Sequence, residues 1–204
     1  MDLSGIAAVL LDMDGTLVDS DAAVTRAWVA WAAEHGVARE SALALAHGGR
    51  AEATAERLLP HLDAAAVRAA GRRQLELQYH DVADVVPARG AGVLLATLAR
   101  MGLPWAVVTN ADSRLASARL AAAGIEVPVL ITVDDVAVGK PDPEGYLLAA
   151  RRLGVDPQRC LVVEDSEPGL AAGRAAGART AALRGLAGDL RIDDLAQLAR
   201  LLTG

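Results

Sequence analysis

The feature that most constrains this chain is the stretch Ala8-Val9-Leu10-Leu11-Asp12-Met13-Asp14-Gly15-Thr16-Leu17-Val18-Asp19. A short apolar run stops at two carboxylates two residues apart, and a glycine follows. A run of this length bounded by a turn signal reads as a buried parallel strand. Residues i and i+2 of a strand point the same way, so Asp12 and Asp14 leave its end together unless the backbone bends between them. Two acids held close resist joint ionisation and call for a compensating charge, most simply a divalent cation. Gly15 lets the backbone turn sharply and a substrate come near.

After this strand the pattern turns helical. Val24, Ala27, Trp28, Trp31 and Ala32 form one apolar stripe, which His35-Gly36 closes. Further helical pieces are expected at 40–46, 51–59 and 63–80, with Pro60 between the last two. Residues 17–84 therefore read as an all-helical insert without a strand. His35, His61 and His80 lack ligand spacing and read as surface or helix-end residues.

From residue 85 helices and strands alternate. Strands are expected at 105–108, 129–132, 161–163 and 179–182, and helices at 91–101, 113–123, 142–154, 166–176 and within 192–202. Such alternation means right-handed crossovers and an α/β fold built on a doubly wound parallel sheet. The expected division is a catalytic core of residues 1–16 and 85–204, with the helical segment 17–84 inserted after the first strand. With 204 residues, 53% of them hydrophobic, the chain can bury such a core unaided. Gly169, Gly173 and Gly177 recur every four residues and suit close packing of a helix on the sheet.

Ligands of such sheets bind beyond the carboxyl ends of the strands. Asp12, Thr109 and Glu164-Asp165 all sit at such ends. Asp12 suits nucleophilic attack and Asp14 suits proton transfer. Thr109 and Asn110 offer a hydroxyl and an amide near a helix start, where anions bind. Lys140 adds a positive charge on a loop stiffened by Pro141 and Pro143. Four acids against one lysine call for a cation, and hard oxygen ligands favour Mg2+. An anion site beside that cation suggests a phosphoryl group.

The sequence resembles the haloacid dehalogenase-like hydrolase superfamily. Asp12-Met13-Asp14-Gly15-Thr16-Leu17 matches its first motif, Thr109 the second, Lys140 the third and Glu164-Asp165 the fourth. The resemblance implies a Rossmann-like core with a mobile helical cap over residues 17–84. It implies Asp12 as nucleophile, Asp14 as acid/base, and Thr109, Asn110 and Lys140 on phosphate. It also implies Mg2+ on the Asp12 side chain, the Asp14 carbonyl and Asp165, with Glu164 in support. Dehalogenases of the superfamily typically lack the second acid, which is Asp14 here. Phosphonate-cleaving members need a cap lysine, and residues 17–84 contain none. Sugar-phosphate mutases carry a histidine where this chain has Val24. A phosphatase remains.

The stretch Ala46-His47-Gly48-Gly49-Arg50 looks most like the specificity loop of sugar-phosphate and glycerol-phosphate phosphatases, which makes His47 and Arg50 candidate specificity residues. The expectation is a Mg2+-dependent phosphatase of small phosphorylated sugars or polyols, working through an aspartyl phosphate. The alternatives are a phosphomutase or phosphotransferase of the same fold, or a non-catalytic module that binds a phosphometabolite. The Asp134-Asp135 pair reads as loop-ordering, Cys160 as packing, and Trp28 with Trp31 as core of the helical segment.

The partner is therefore a small phosphorylated metabolite, taken by a monomer or homodimer. A net charge of −6 with interspersed signs and few aromatic residues speaks against a nucleic-acid surface. No apolar run reaches membrane-spanning length without a charge. The single Cys160 cannot form an internal disulfide, and no secretory signal is visible, so a cytoplasmic location is expected.

Overall fold

The computed structural model describes residues 3–46 and 48–204. Six parallel strands make the main sheet in the order β5-β4-β1-β6-β7-β8. They are β1 (Ala8–Leu11), β4 (Trp105–Val108), β5 (Leu130–Ile131), β6 (Cys160–Glu164), β7 (Arg179–Ala182) and β8 (Leu190–Arg191). β1 is central, with Leu11 opposite Val107 on one side and Val163 on the other. The chain fills one half of the sheet and then the other, so strand order reverses at β1. A crevice opens there beyond the strand ends.

Alternate residues of β1 feed two cores. Val9 and Leu11 pack with Leu94 and Leu98 of α5 (Ala91–Met101), Leu115 of α6 (Ser113–Ala122) and Leu198 of α9 (Leu195–Leu202). Ala8 and Leu10 pack on the other face with Ala149 and Ala150 of α7 (Glu144–Leu153) and Ala172 of α8 (Glu167–Ala175). Burial on both faces explains why these strands read as unbroken apolar runs. Gly173 brings α8 onto β6, because a Cβ there would stand 2.9 Å from Val162 Cγ1.

Among the described residues, four helices lie between Asp19 and Val86: α1 (Asp21–His35), α2 (Arg39–Leu43), α3 (Ala51–Leu58) and α4 (Ala64–Gln78). They share a core of their own around Val24, Trp28, Trp31, Ala55 and Ala70. Trp31 is fully buried and its indole N–H donates to the Ala70 carbonyl (2.8 Å). One expectation needs correcting. Residues 17–84 contain a strand, β2 (Val18–Asp19), which pairs antiparallel with β3 (Val86–Pro87). A two-residue ribbon has too little alternation to be read locally, and its partner lies almost seventy residues away. Among the described residues no helix is long and apolar enough to cross a membrane.

Candidate active site

The central strands deliver the site. Asp12 follows β1, Thr109 follows β4, Glu164 closes β6 and Asp165 comes next. The Asp12 N–H donates to the Val163 carbonyl (3.0 Å), so the sheet ladder runs up to the first acid. The backbone then folds back. The Met13 carbonyl accepts from the N–H groups of Leu17 and Val18, both at 2.9 Å, and Gly15 takes φ +77°. A Cβ on Gly15 would collide with the Asp165 carboxylate.

Lys140, the only lysine of the chain, is buried with its ammonium in the middle of the site. Nζ donates to Asp12 Oδ1 (2.5 Å), Glu164 Oε1 (2.7 Å) and the Val108 carbonyl (2.7 Å). All three of its protons are thus used. Glu164 is fully buried. Its Oε1 also accepts from the Tyr146 hydroxyl (2.7 Å) and its Oε2 from Ser166 Oγ (2.8 Å). Burial opposes the lysine's charge, but Asp12 and Glu164 outweigh it and hold the ammonium above its ordinary range.

The acids outnumber their local cations. Burial, reinforced by Glu164, pushes Asp12 well above the usual carboxylate range despite Lys140. Burial and Glu164 push Asp165 up to about 7, against Arg184 and Lys140. Arg184 Nε lies 2.7 Å from Asp165 Oδ2 as an ion-pair contact, yet that buried oxygen accepts no hydrogen bond. Carboxylate oxygens of Asp12, Glu164 and Asp165 lie within 4.8 Å of one another. A buried set of three carboxylates, all hard oxygen donors within reach of one another, fits a divalent cation such as Mg2+.

Asp14 points to a cavity beside this cluster, which Asp12 also lines. Its Oδ1 accepts from Ser20 Oγ (2.7 Å) and pairs with Nη1 of the buried Arg119 (2.7 Å). Thr109 is buried on the cavity wall, and its Oγ1 accepts from the Ala111 N–H (3.0 Å). Val24 and Trp28 also line the cavity, so Trp28 serves both the helical core and the cavity.

Asn110 lines the same cavity, and Arg50 lines a cleft next to it. The Asn110 carboxamide donates to the carbonyls of Gly48 (2.9 Å) and Lys140 (3.1 Å) and accepts from the Lys140 N–H (2.9 Å). That side chain braces the lysine loop instead of reaching into the cavity as a free donor. Arg50 precedes α3, next to Gly139 and in a neighbouring cleft with Asn110 and Asp112. His47 lies outside the described residues. Asp134 accepts from the Ser113 N–H (2.9 Å) and Asp135 completes a capping box with Thr132. That pair orders its loop.

Several site residues were not singled out from the sequence. Tyr146 and Ser166 secure Glu164, but a tyrosine on an apolar helix face and a serine at a helix start read as packing and capping. Arg119 left a clearer signal. It breaks the buried stripe Leu115-Ala116-Arg119-Leu120 of α6. A charge on a core-facing stripe needs a buried partner. Gln74 and Gln78 do the same on the buried face of α4, with Val67 and Ala70.

Comparisons with known proteins agree with this geometry. The family model for haloacid dehalogenase-like hydrolases matches residues 6–177. Hexitol phosphatase A of Escherichia coli is 39% identical over 91% of this chain and 87% of its own length. N-acetylmuramic acid 6-phosphate phosphatase of Pseudomonas aeruginosa is 36% identical over 87% of this chain and 81% of its own. A mutant CbbY of Rhodobacter sphaeroides, solved with xylulose-(1,5)bisphosphate, superimposes with a TM-score of 0.80 at 28% identity. That match covers 95% of this chain and 96% of CbbY. With its motifs converging on one crevice and the family model spanning most of its length, the chain belongs to the haloacid dehalogenase-like hydrolases, among their phosphoric monoester hydrolases.

Proposed function

We propose that this phosphoric monoester hydrolase cleaves phosphate esters of small sugars or sugar alcohols, with Mg2+ as cofactor and an aspartyl phosphate on Asp12. The observation that carries the reading is the buried contact of Lys140 with Asp12, beside acids whose charge is not locally balanced. In the first step an Asp12 oxygen attacks phosphorus and the ester P–O bond breaks. Asp14 gives a proton to the departing alkoxide. In the second step Asp14 takes a proton from water, whose oxygen attacks phosphorus and releases Asp12 and phosphate.

Thr109 offers its hydroxyl hydrogen to the phosphoryl oxygens and Lys140 its charge, since the lysine's three N–H groups are held by Asp12, Glu164 and the Val108 carbonyl. Residues 110–112 lead into α6, whose N-terminus favours an anion. Asp12, Asp165 and the Asp14 carbonyl would hold the cation, which supplies charge neutralisation on the phosphoryl oxygens. Glu164 acts through Lys140, since both its oxygens already accept hydrogen bonds. Residues 17–84 form the cap, and 1–16 with 85–204 the catalytic core. Val24 stands on the cavity wall and offers no base for a sugar hydroxyl, which favours hydrolysis over phosphoryl transfer between sugars.

Phosphate release from sorbitol 6-phosphate, glucose 6-phosphate and glycerol 3-phosphate, with Mg2+ or with EDTA, tests this. Metal-dependent release from at least one of them is expected, and none from any would overturn the reading. Asp12→Asn should lower turnover by roughly four orders of magnitude or more while circular dichroism stays unchanged.

A further inference from the structure

We propose that Gln74, Gln78 and Arg119 form the subsite that recognises hydroxyl groups of the ester's alcohol portion. The inference rests on the phosphatase reading above and extends it to a part of the cavity that no sequence motif marks. Gln74 and Gln78 belong to α4, Arg119 to α6, and all three line the cavity that holds Asp12 and Asp14. Each is more than nine-tenths buried.

Their order of bonding is dictated by chemistry. A guanidinium only donates, so Gln78 must turn Oε1 to Arg119 Nη2 (2.5 Å). Gln78 then has only its amide nitrogen for Gln74, and Nε2 donates to Gln74 Oε1 (2.5 Å). The Gln74 Nε2 is thereby left as a donor at the end of the chain, buried and without an acceptor. Arg119 Nε is a second buried donor without one. Burial without a partner forfeits the hydration of these N–H groups, a cost that a ligand acceptor removes.

Charge selects the acceptor. Arg119 is already matched by Asp14, and the glutamines are neutral, so this end of the cavity has no spare positive charge for a second anion. A hydroxyl oxygen meets the need, and the apolar faces of Trp28, Leu75 and Leu115 suit the carbon chain that carries it. The class is a neutral polyhydroxy alcohol attached to the phosphate.

The test compares sorbitol 6-phosphate with n-hexyl phosphate, a chain of the same length with no hydroxyls, in the presence of Mg2+. The wild-type protein should favour sorbitol 6-phosphate in kcat/KM by tenfold or more, roughly the worth of one or two hydrogen bonds. In Gln74→Leu the ratio of the two kcat/KM values should fall by about tenfold, mainly through KM for sorbitol 6-phosphate. If the wild type hydrolyses both esters equally well, the subsite is refuted and the phosphatase reading stands. If Gln74→Leu leaves the ratio unchanged, the subsite is likewise refuted. If neither ester nor any other phosphate ester is hydrolysed, both fall together. The wild-type comparison needs no folded variant.

Discussion

Gly15 leaves no room for a side chain. Its φ of +77° is one that L-residues rarely adopt, and a Cβ would stand 2.5 Å from Arg184 Nη2 as well as striking Asp165. Gly15→Ala should therefore cost about 1–3 kcal/mol in urea unfolding. On the proposed Mg2+ site, the wild type should gain melting temperature with added Mg2+ and the variant should gain less. At this scale the sequence was most legible where a residue type has one chemical use. Asp12, Lys140 and Asp165 were readable as charges that must meet. Tyr146, Ser166, Arg119 and the two glutamines were not, since their roles depend on which face of a helix turns inward and on what waits there. Asn110 was readable as a polar group at a strand end. That its amide would be spent on two backbone carbonyls was not.

The helices show how one residue can serve two elements. Asp112 caps α6 through Oδ1, which accepts from the Leu115 N–H (2.8 Å). Its Oδ2 accepts from the hydroxyl of Tyr79 (2.5 Å), the residue that ends α4. Asp112→Ala, which loses both the cap and the bond from Tyr79, should cost about 1.5–3.5 kcal/mol. Tyr79→Phe, which loses only the second bond, should cost about 0.5–1.5 kcal/mol. Chemical denaturation of the two variants checks the difference. Burial, aided by Asp112, pushes the Tyr79 hydroxyl up to about 12, and burial with Glu164 raises Tyr146 as well. A phenol whose folded pKa is raised contributes stability below the unfolded value of about 10 and loses it as pH climbs through the folded one. With no other tyrosine in the chain, absorbance at 295 nm should stay flat past pH 10 and begin to rise only as Tyr79 ionises nearer pH 12. Helices of the core were legible from their period, and strands as short apolar runs that stop at turn signals. The ribbon of β2 with β3 was not, being two short pairs joined only by the fold.

The molecule as a whole is built around the middle of one sheet. Cys160 opens β6 and is fully buried. Burial, with Asp156 beside it, pushes its thiol up to about 11. Iodoacetamide at pH 8 should leave the native protein unmodified. Its rate, followed by mass spectrometry, should rise only along the urea unfolding curve, because the thiolate is scarce and the sulfur is out of reach. A thiol that reacts freely in the native state would mean that the centre of the sheet opens by itself. The division into two faces around β1 was legible from the alternation of elements. The strand order was legible only in outline, since nothing local says which strand follows β1 on either side.

The solitary lysine has a practical corollary. Every other side-chain cation apart from histidine is an arginine. Reagents and enzymes selective for ε-amines therefore find a single target on the side chains of this protein, and it lies against Asp12. Acetylating or tethering that amine requires both that a reagent enter the cleft and that the ammonium give up a proton held by Asp12 and Glu164. On the proposed role of Lys140, the modified protein should lose turnover in step with the label.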